Sequence, residues 1–162
     1  MGTGKTSIGK RVAQSLGFQF VDTDDLIVQA SGKAITQIFA DEGEDHFRDL
    51  ESQTLLDCSQ AKNQVIATGG GIVLREQNRE ILQRAGYVIW LRTSPESILE
   101  RVSKNRDRPL LHTEDPLKRI RAMLLERDGL YSSSADFIID TDELAMEETA
   151  FGICESARVN FA

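Results

Sequence analysis

MGTGKTS, which occupies residues 1–7, is the stretch that decides how the chain folds. Its Gly4, Lys5 and Thr6 match the second half of the phosphate-binding loop G-x-x-x-x-G-K-[ST]. In such a loop, glycines allow backbone N–H groups to approach phosphate oxygens, the lysine reaches the β- and γ-phosphates, and the last hydroxyl binds Mg²⁺. The loop is expected to open a helix, whose N-terminus favours anions. The predicted nucleotide-binding residues of the loop are Gly2, Thr3, Gly4, Lys5, Thr6 and Ser7.

The loop motif is incomplete in this sequence. The first glycine of the full motif would precede Gly4 by five residues and would lie ahead of Met1. A loop of this kind follows a buried strand, for which the printed sequence offers no residues. We therefore expect either that the sequence is a fragment or that its start is placed too late. A glycine turn that precedes a helix by chance is the alternative.

Composition limits the class of protein. A chain of 162 residues, 40% hydrophobic and 28% charged, is typical of one globular domain with its own core. No apolar run reaches the roughly 18 residues of a membrane span, so no membrane partner is expected. The net charge of −7 argues against a nucleic-acid partner and requires a local basic cluster for any anionic ligand. Cys58 and Cys154 are too few for a disulfide framework, which favours the cytoplasm.

Strands and helices alternate along the chain. Strands are predicted at 18–22, 64–68, 87–91 and 137–140, and each is followed by a helical pattern of apolar residues. This alternation predicts a three-layer α/β fold with a parallel sheet. Ligands of such sheets gather at the carboxyl ends of the strands, which meet at one edge.

Two groups of residues follow predicted strands at that edge. Asp22 and Asp24 follow the first strand, where they could cap a helix or, near a phosphate-binding loop, hold hydrated Mg²⁺ and orient a hydroxyl. A run of three glycines follows the second strand. A plain turn needs fewer glycines, so the run indicates that a ligand comes close to the backbone. These residues are Gly69, Gly70 and Gly71.

Basic residues are candidates for anion binding. Arg48 lies three residues before Glu51, so it forms either an intrahelical pair or a fork on a ligand carboxylate. The segment from Arg101 to His112 carries several basic residues and is either a solvated helix end or a lid that brings arginine to a phosphate. Taken together, the features at one sheet edge predict a nucleoside-triphosphate-dependent phosphotransferase. Arg48 and Arg127 are its candidate contacts to an anionic acceptor.

The motifs, in this order, resemble the shikimate kinase family over nearly the whole chain. They are GTGKT, DTD, F-R-x-x-E, GGG, RPLL and E-R-x-x-L-Y. The resemblance implies ATP-dependent phosphorylation of shikimate to shikimate 3-phosphate, in aromatic amino-acid biosynthesis. It implies a nucleoside-monophosphate-kinase-like sheet in the order 2-3-1-4-5, with strand 1 missing from this chain. It also implies a single domain over 1–162, with an acceptor-binding region at 22–60 and a lid at 101–116.

The resemblance also implies a role for each candidate residue. Mg²⁺ would be bound by Thr6 and, through water, by Asp22. The residues implied in catalysis are Lys5, Asp24 and Arg108. Besides the loop, the nucleotide would contact Arg101 on its adenine side and Arg108 at the transferring phosphate. Shikimate would contact Asp24, Arg48, Gly69, Gly70, Gly71 and Arg127, with both arginines on its carboxylate.

Several expectations accompany this interpretation. ATP and shikimate are the expected small-molecule partners, and a cytoplasmic monomer is expected. The chain has Gly129 where the family usually has proline, which is expected to loosen the segment that holds Arg127. Two alternatives remain. The chain is a kinase for another small hydroxy acid such as gluconate, or it is a non-catalytic fragment of this family.

Overall fold

The computed structural model describes residues 2–103 and 114–160 as an α/β structure in which helices dominate. The strands are β1 (Gln19–Asp22), β2 (Gln64–Ala67), β3 (Ile89–Arg92) and β4 (Phe137–Asp140). The helices are α1 (Lys5–Leu16), α2 (Thr23–Ser31), α3 (Ile35–Asp41), α4 (Gly43–Ser59), α5 (Glu76–Ala85), α6 (Pro95–Ser103), α7 (Pro116–Ser134) and α8 (Met146–Asn160), with a 3₁₀ turn at Ile72–Leu74. The predicted alternation of strands and helices is confirmed.

The four strands form two parallel pairs. β1 pairs with β2, with Gln19 opposite Gln64, and β3 pairs with β4, with Ile89 opposite Phe137. Within the described residues, no strand pairing joins one pair to the other. The parallel strands agree with the α/β fold that the sequence predicts, whereas the order 2-3-1-4-5 with strand 1 missing stays a prediction.

Helix α1 holds the two strand pairs together on one face. Its buried Ile8 and Val12 belong to the same apolar cluster as Ile139 of β4, and Val65 of β2 and Leu91 of β3 pack against that cluster. The helix also lies close to β1, since a Cβ at Gly9 would be only 2.7 Å from the Phe20 ring. Burial of this apolar stripe is therefore what joins the halves of the sheet in the described part of the chain.

The opposite face is covered by the 3₁₀ turn and by helices α4, α5 and α7. Leu55, Ile72 and Val73 form a buried cluster there, against which Leu130 and Tyr131 of α7 pack. Helices therefore cover both faces of the strands, as the sequence predicted. In the part of the chain that the structure describes, no helix is long and apolar enough to cross a membrane.

The sequence pattern at 31–58 predicts a helix that is broken near Gly43, and the structure confirms the break: α3 ends at Asp41, and Gly43, with φ of 85°, begins α4. One local feature differs from the sequence expectation. β3 starts two residues later than the apolar run at 87, because the N–H of Val88 donates to the Asp136 carboxylate at 2.8 Å instead of to a strand. Gly129 lies inside α7 and does not interrupt it, so the helix that carries Arg127 is continuous.

Candidate functional site

The residues ahead of α1 form the predicted loop. Gly2 and Gly4 have φ of 69° and 84°, a left-handed conformation that glycine adopts without strain. The Lys5 ammonium donates to the Thr3 hydroxyl at 3.5 Å. The first backbone N–H groups of a helix have no partner within it, so the start of α1 offers donors and a partial positive charge to an anion.

A cavity of about 750 Å³ opens over this loop. Its walls also include Asp22 and Asp24 at the end of β1, Gly69 and Gly70 after β2, Arg101 of α6, and Thr141 after β4. The structure thus brings the three predicted groups at the strand ends around one cavity.

Asp22 connects the loop to α2. One oxygen of its carboxylate accepts a hydrogen bond from the Thr6 hydroxyl at 2.8 Å, and the other accepts from the backbone N–H of Asp24 at 3.1 Å and so caps α2. The capping interpretation of Asp22 is therefore confirmed. The Thr6 hydroxyl and the Asp22 carboxylate are oxygen groups of the kind that Mg²⁺ prefers, and they lie side by side at the loop.

Asp24 does not cap the helix. Its Oδ1 is buried and has no hydrogen-bond partner among the described residues. Burial raises the pKa of this carboxyl above its ordinary value, the negative charge of Asp22 raises it further, and Lys5 opposes both effects. An acceptor oxygen that is buried without a donor is costly, so its position indicates a ligand donor.

Side chains from neighbouring helices lie directly against Gly69 and Gly71 of the glycine run. A Cβ at Gly69 would lie 2.6 Å from Oε1 of Glu51 and 3.1 Å from Oδ1 of Asp24, and a Cβ at Gly71 would collide with the Arg48 guanidinium. A plain turn would not need this clearance. The run therefore lets groups from α2 and α4 lie directly against the backbone at the end of β2.

Arg48 forms the intrahelical pair that its spacing predicted, with Glu51, and also binds Glu44. Its Nε and Nη2 donate to one oxygen of Glu44, at 3.2 and 2.9 Å. The side chains of Arg48 and Glu51 are 13% and 1% exposed, whereas that of Glu44 is 60% exposed. Arg48 is thus fixed from the protein side by Glu51 and is reached from the solvent side by Glu44.

Glu51 is a site residue that sequence reasoning treated only as a helix partner. Burial raises the pKa of its carboxyl, although the hydrogen bond and the charge of Arg48 lower it, and the charge of Arg127 acts in the same direction as Arg48. The R-x-x-E spacing was the available signal, but it does not reveal that the carboxylate lies against Gly69.

A second cavity of about 680 Å³ contains the candidate acceptor residues. Arg48, Arg127 and the glycine run line it, together with Trp90 of β3. The Nε of Arg127 is buried and has no acceptor among the described residues. A buried, charged donor without an acceptor indicates an anionic ligand at this place.

The two cavities share a wall. The residues that line both are Thr3, Lys5, Thr68, Gly69 and Gly70. The Lys5 ammonium and the glycine run therefore stand between a cavity over the phosphate-binding loop and a cavity that carries two arginines.

Of the two remaining basic residues predicted for the site, the structure describes only Arg101. Arg101 lines the loop cavity and donates to the Thr141 carbonyl oxygen at 2.9 Å, to the Thr141 hydroxyl at 3.3 Å and to the Gly2 carbonyl oxygen at 3.5 Å. It thereby joins the loop to the end of β4. Arg108, and residues 104–113 of the predicted lid, lie outside the described residues.

Known proteins match both the sequence and the fold. The family model described as shikimate kinase matches residues 1–158. A shikimate kinase of Caldanaerobacter subterraneus subsp. tengcongensis is 48% identical over 150 residues, which cover 93% of this chain and 87% of that protein. The shikimate kinase of Thermodesulfovibrio yellowstonii is 49% identical over 150 residues, with coverages of 93% and 86%.

Solved structures give the same result. Shikimate kinase from Acinetobacter baumannii in complex with shikimate matches with a TM-score of 0.93 and 38% identity, covering 99% of this chain and 89% of that chain. Shikimate kinase from Aquifex aeolicus matches with a TM-score of 0.86 and 34% identity, with coverages of 99% and 94%. Sequence and fold therefore match the same group of enzymes.

Proposed function

Because this chain belongs to the shikimate kinase family, we propose that it transfers the γ-phosphoryl group of ATP to the 3-hydroxyl of shikimate. The products are shikimate 3-phosphate and ADP, and the reaction belongs to aromatic amino-acid biosynthesis. One observation carries the proposal: the cavity over the phosphate-binding loop adjoins the cavity lined by Arg48 and Arg127, and Lys5 lies on the wall between them. Phosphoryl transfer requires donor and acceptor oxygens in line, and adjoining cavities permit that alignment.

ATP is proposed to bind with its phosphates over residues 2–7 and the start of α1. Lys5 neutralises charge that develops on the transferring phosphoryl group, and the backbone N–H groups hold the remaining oxygens. Arg101 and Thr141 also line this cavity, and Arg101 is proposed to contact the adenine side of the nucleotide. Arg108 is proposed to reach the transferring phosphate from the lid at 101–116, as the family resemblance implies.

Thr6 and Asp22 are proposed to hold Mg²⁺, the latter through water. Their oxygens are the hard donors that this ion prefers, and they stand 2.8 Å apart beside the loop. Neutralisation of the negative charge on the phosphate oxygens is the chemistry that a bound Mg²⁺ would supply. Asp22 also caps α2, so the same side chain determines where the helix that carries Asp24 begins.

Asp24 is proposed to orient the reacting hydroxyl and to take its proton. Its buried Oδ1 has no donor among the described residues, and a substrate hydroxyl would supply one. Burial and the charge of Asp22 raise its pKa, which makes the carboxylate a stronger base than an exposed aspartate.

Arg48 and Arg127 are proposed to bind the carboxylate of shikimate, beside Gly69, Gly70 and Gly71. A planar guanidinium donates two parallel hydrogen bonds to a carboxylate, and two arginines hold it in one orientation. The unpartnered Nε of Arg127 supports this assignment. The acceptor-binding region at 22–60 includes the helix that positions Arg48, within a single domain over 1–162.

A substrate panel tests the proposed function. Initial rates of ADP formation are measured with shikimate, gluconate and no acceptor. We expect turnover that depends on shikimate and exceeds that with gluconate by orders of magnitude, and phosphorus NMR should identify the product as a monoester at the 3-position. Faster turnover with gluconate contradicts the choice of acceptor, and ADP formation without any acceptor contradicts a kinase reaction.

We also propose that the chain acts as a monomer in the cytoplasm. Cys58 and Cys154 are both buried thiols, which suits a reducing compartment. Light scattering during gel filtration, with and without substrates, measures the oligomeric state.

A further inference from the structure

One contact near the acceptor cavity has no role in the function proposed above. The hydroxyl of Tyr131 donates a hydrogen bond to the carbonyl oxygen of Gly70 at 2.6 Å, across 61 positions of sequence. Tyr131 lies four residues after Arg127 on α7, so both side chains project from the same face of that helix. Helix α7 therefore carries both Arg127 and the tyrosine that is hydrogen-bonded to the glycine run.

The Tyr131 side chain is held in place from two sides. Its ring lies 5.4 Å from that of Trp90, centroid to centroid, with 31° between the ring planes. Burial raises the pKa of the phenol, while the neighbouring charge of Arg127 lowers it. The net direction is upward, so the hydroxyl remains protonated at neutral pH and can donate to Gly70.

The contact determines the orientation of one peptide unit. The described part of the chain has no cis peptide bonds, so the carbonyl of Gly70 and the N–H of Gly71 point to opposite sides of their shared plane. Gly71 is buried, and its N–H has no acceptor among the described residues. Glycines have few conformational restraints of their own, so an external bond is needed to hold this donor in one direction.

We propose that Tyr131 is a positioning residue for the acceptor site. Its hydroxyl fixes the peptide between Gly70 and Gly71, so that the N–H of Gly71 is held ready to donate to the bound acceptor beside Arg127. This role rests on the proposed function, because shikimate is the acceptor that the peptide would meet. Tyr131 does not touch the reacting atoms, and it acts through the backbone and through the helix that it shares with Arg127.

The test replaces the hydroxyl and keeps the ring. Tyr131→Phe retains the packing against Trp90 and loses the hydrogen bonds of the hydroxyl, which are those to Gly70 and with the Arg127 side chain. We expect the Kd of shikimate, measured by calorimetry without ATP, and the KM for shikimate to rise by about 2- to 12-fold, which corresponds to a typical net hydrogen bond. The KM for ATP should remain unchanged, because Tyr131 lines only the acceptor cavity.

Tyr87→Phe is the matched control. The Tyr87 hydroxyl also makes side-chain hydrogen bonds, to Ser156 at 2.7 Å and Asn160 at 3.2 Å, but it lines neither cavity. We expect Tyr87→Phe to lower the free energy of unfolding by about as much as Tyr131→Phe does. Unfolding in urea is monitored by Trp90 fluorescence. The KM values for both substrates should remain unchanged in Tyr87→Phe. Tyr131→Leu, which also removes the ring contact, should raise the KM for shikimate at least as much as Tyr131→Phe.

The outcomes separate the two proposals. If the wild-type chain phosphorylates shikimate and Tyr131→Phe has an unchanged KM, or if the KM for ATP rises equally, the positioning role is wrong and the proposed function stands. If the wild-type chain neither binds nor phosphorylates shikimate, the proposed function fails, and the role of Tyr131 fails with it.

Discussion

The guanidinium of Arg48 donates a hydrogen bond to the buried carboxylate of Glu51, one turn further along α4. Both partners are largely removed from water, with side chains that are 13% and 1% exposed. The same guanidinium passes over Gly71, where a Cβ would collide with it. Glu51 therefore orients Arg48 toward the glycine run, and the two residues act as one unit.

Arg48→Ala should raise the KM for shikimate far more than the KM for ATP, because loss of a buried charged contact costs roughly 2–5 kcal/mol. The same change should destabilise the fold by roughly 3–5 kcal/mol, since it leaves Glu51 buried without a partner. The double variant Arg48→Ala/Glu51→Gln separates these effects. It should recover much of the unfolding free energy in urea but not the KM for shikimate, and an equal rise in both KM values contradicts the assignment.

Glu44→Gln should lower the KM for shikimate by about 2- to 5-fold, which corresponds to the energy of an exposed ion pair. The reason is that Glu44 occupies Nε and Nη2 of Arg48, and a ligand carboxylate must displace it. Asp57→Asn, an exposed change of the same charge on the same helix, is the control. Equal effects of the two variants would assign the result to net charge instead.

Asp24→Asn should reduce kcat by roughly 10²-fold or more, since the amide cannot accept a proton. Nucleotide binding should persist. Asp25→Asn, its exposed neighbour, should keep activity. A nearly normal kcat in the Asp24 variant would restrict Asp24 to a structural role.

The same Asp24→Asn variant should be more stable than the wild type at pH 8. Burial and Asp22 raise the pKa of Asp24 in the folded state, so its stabilising contribution is complete below the ordinary pKa and is lost as pH rises through the raised value. Asparagine avoids that loss. Urea unfolding at pH 8 and pH 5 measures the difference in unfolding free energy between the variant and the wild type. This difference should be larger at pH 8, and a difference that grows as pH falls contradicts the prediction.

Lys5→Met should reduce turnover by roughly 10²–10³-fold through lost stabilisation of the phosphoryl group. Lys10→Met is the matched control, because Lys10 lies on the same helix over the Phe20 ring and lines neither cavity. Similar losses in both variants would point to damage to α1 rather than to phosphate binding.

Local sequence determined most of the element order. The strand Phe137–Asp140 has the bounds that the sequence predicts, because a short apolar run is a signal contained in neighbouring residues. The loop before α1 and the groups after β1 and β2 were predicted for the same reason. Their meeting at one edge followed from the rule for parallel strands, which depends on topology alone.

Tertiary structure alone decided which side chains complete the site. Glu51 and Gly69, or Tyr131 and Gly70, are far apart in sequence and meet only because α4 and α7 pack beside the end of β2. The unpartnered Oδ1 of Asp24 and Nε of Arg127 likewise depend on burial by neighbouring elements. Spacing along the chain determines periodicity and caps, whereas distance and burial at a site depend on how the elements pack, and a single sequence contains no direct signal for that packing.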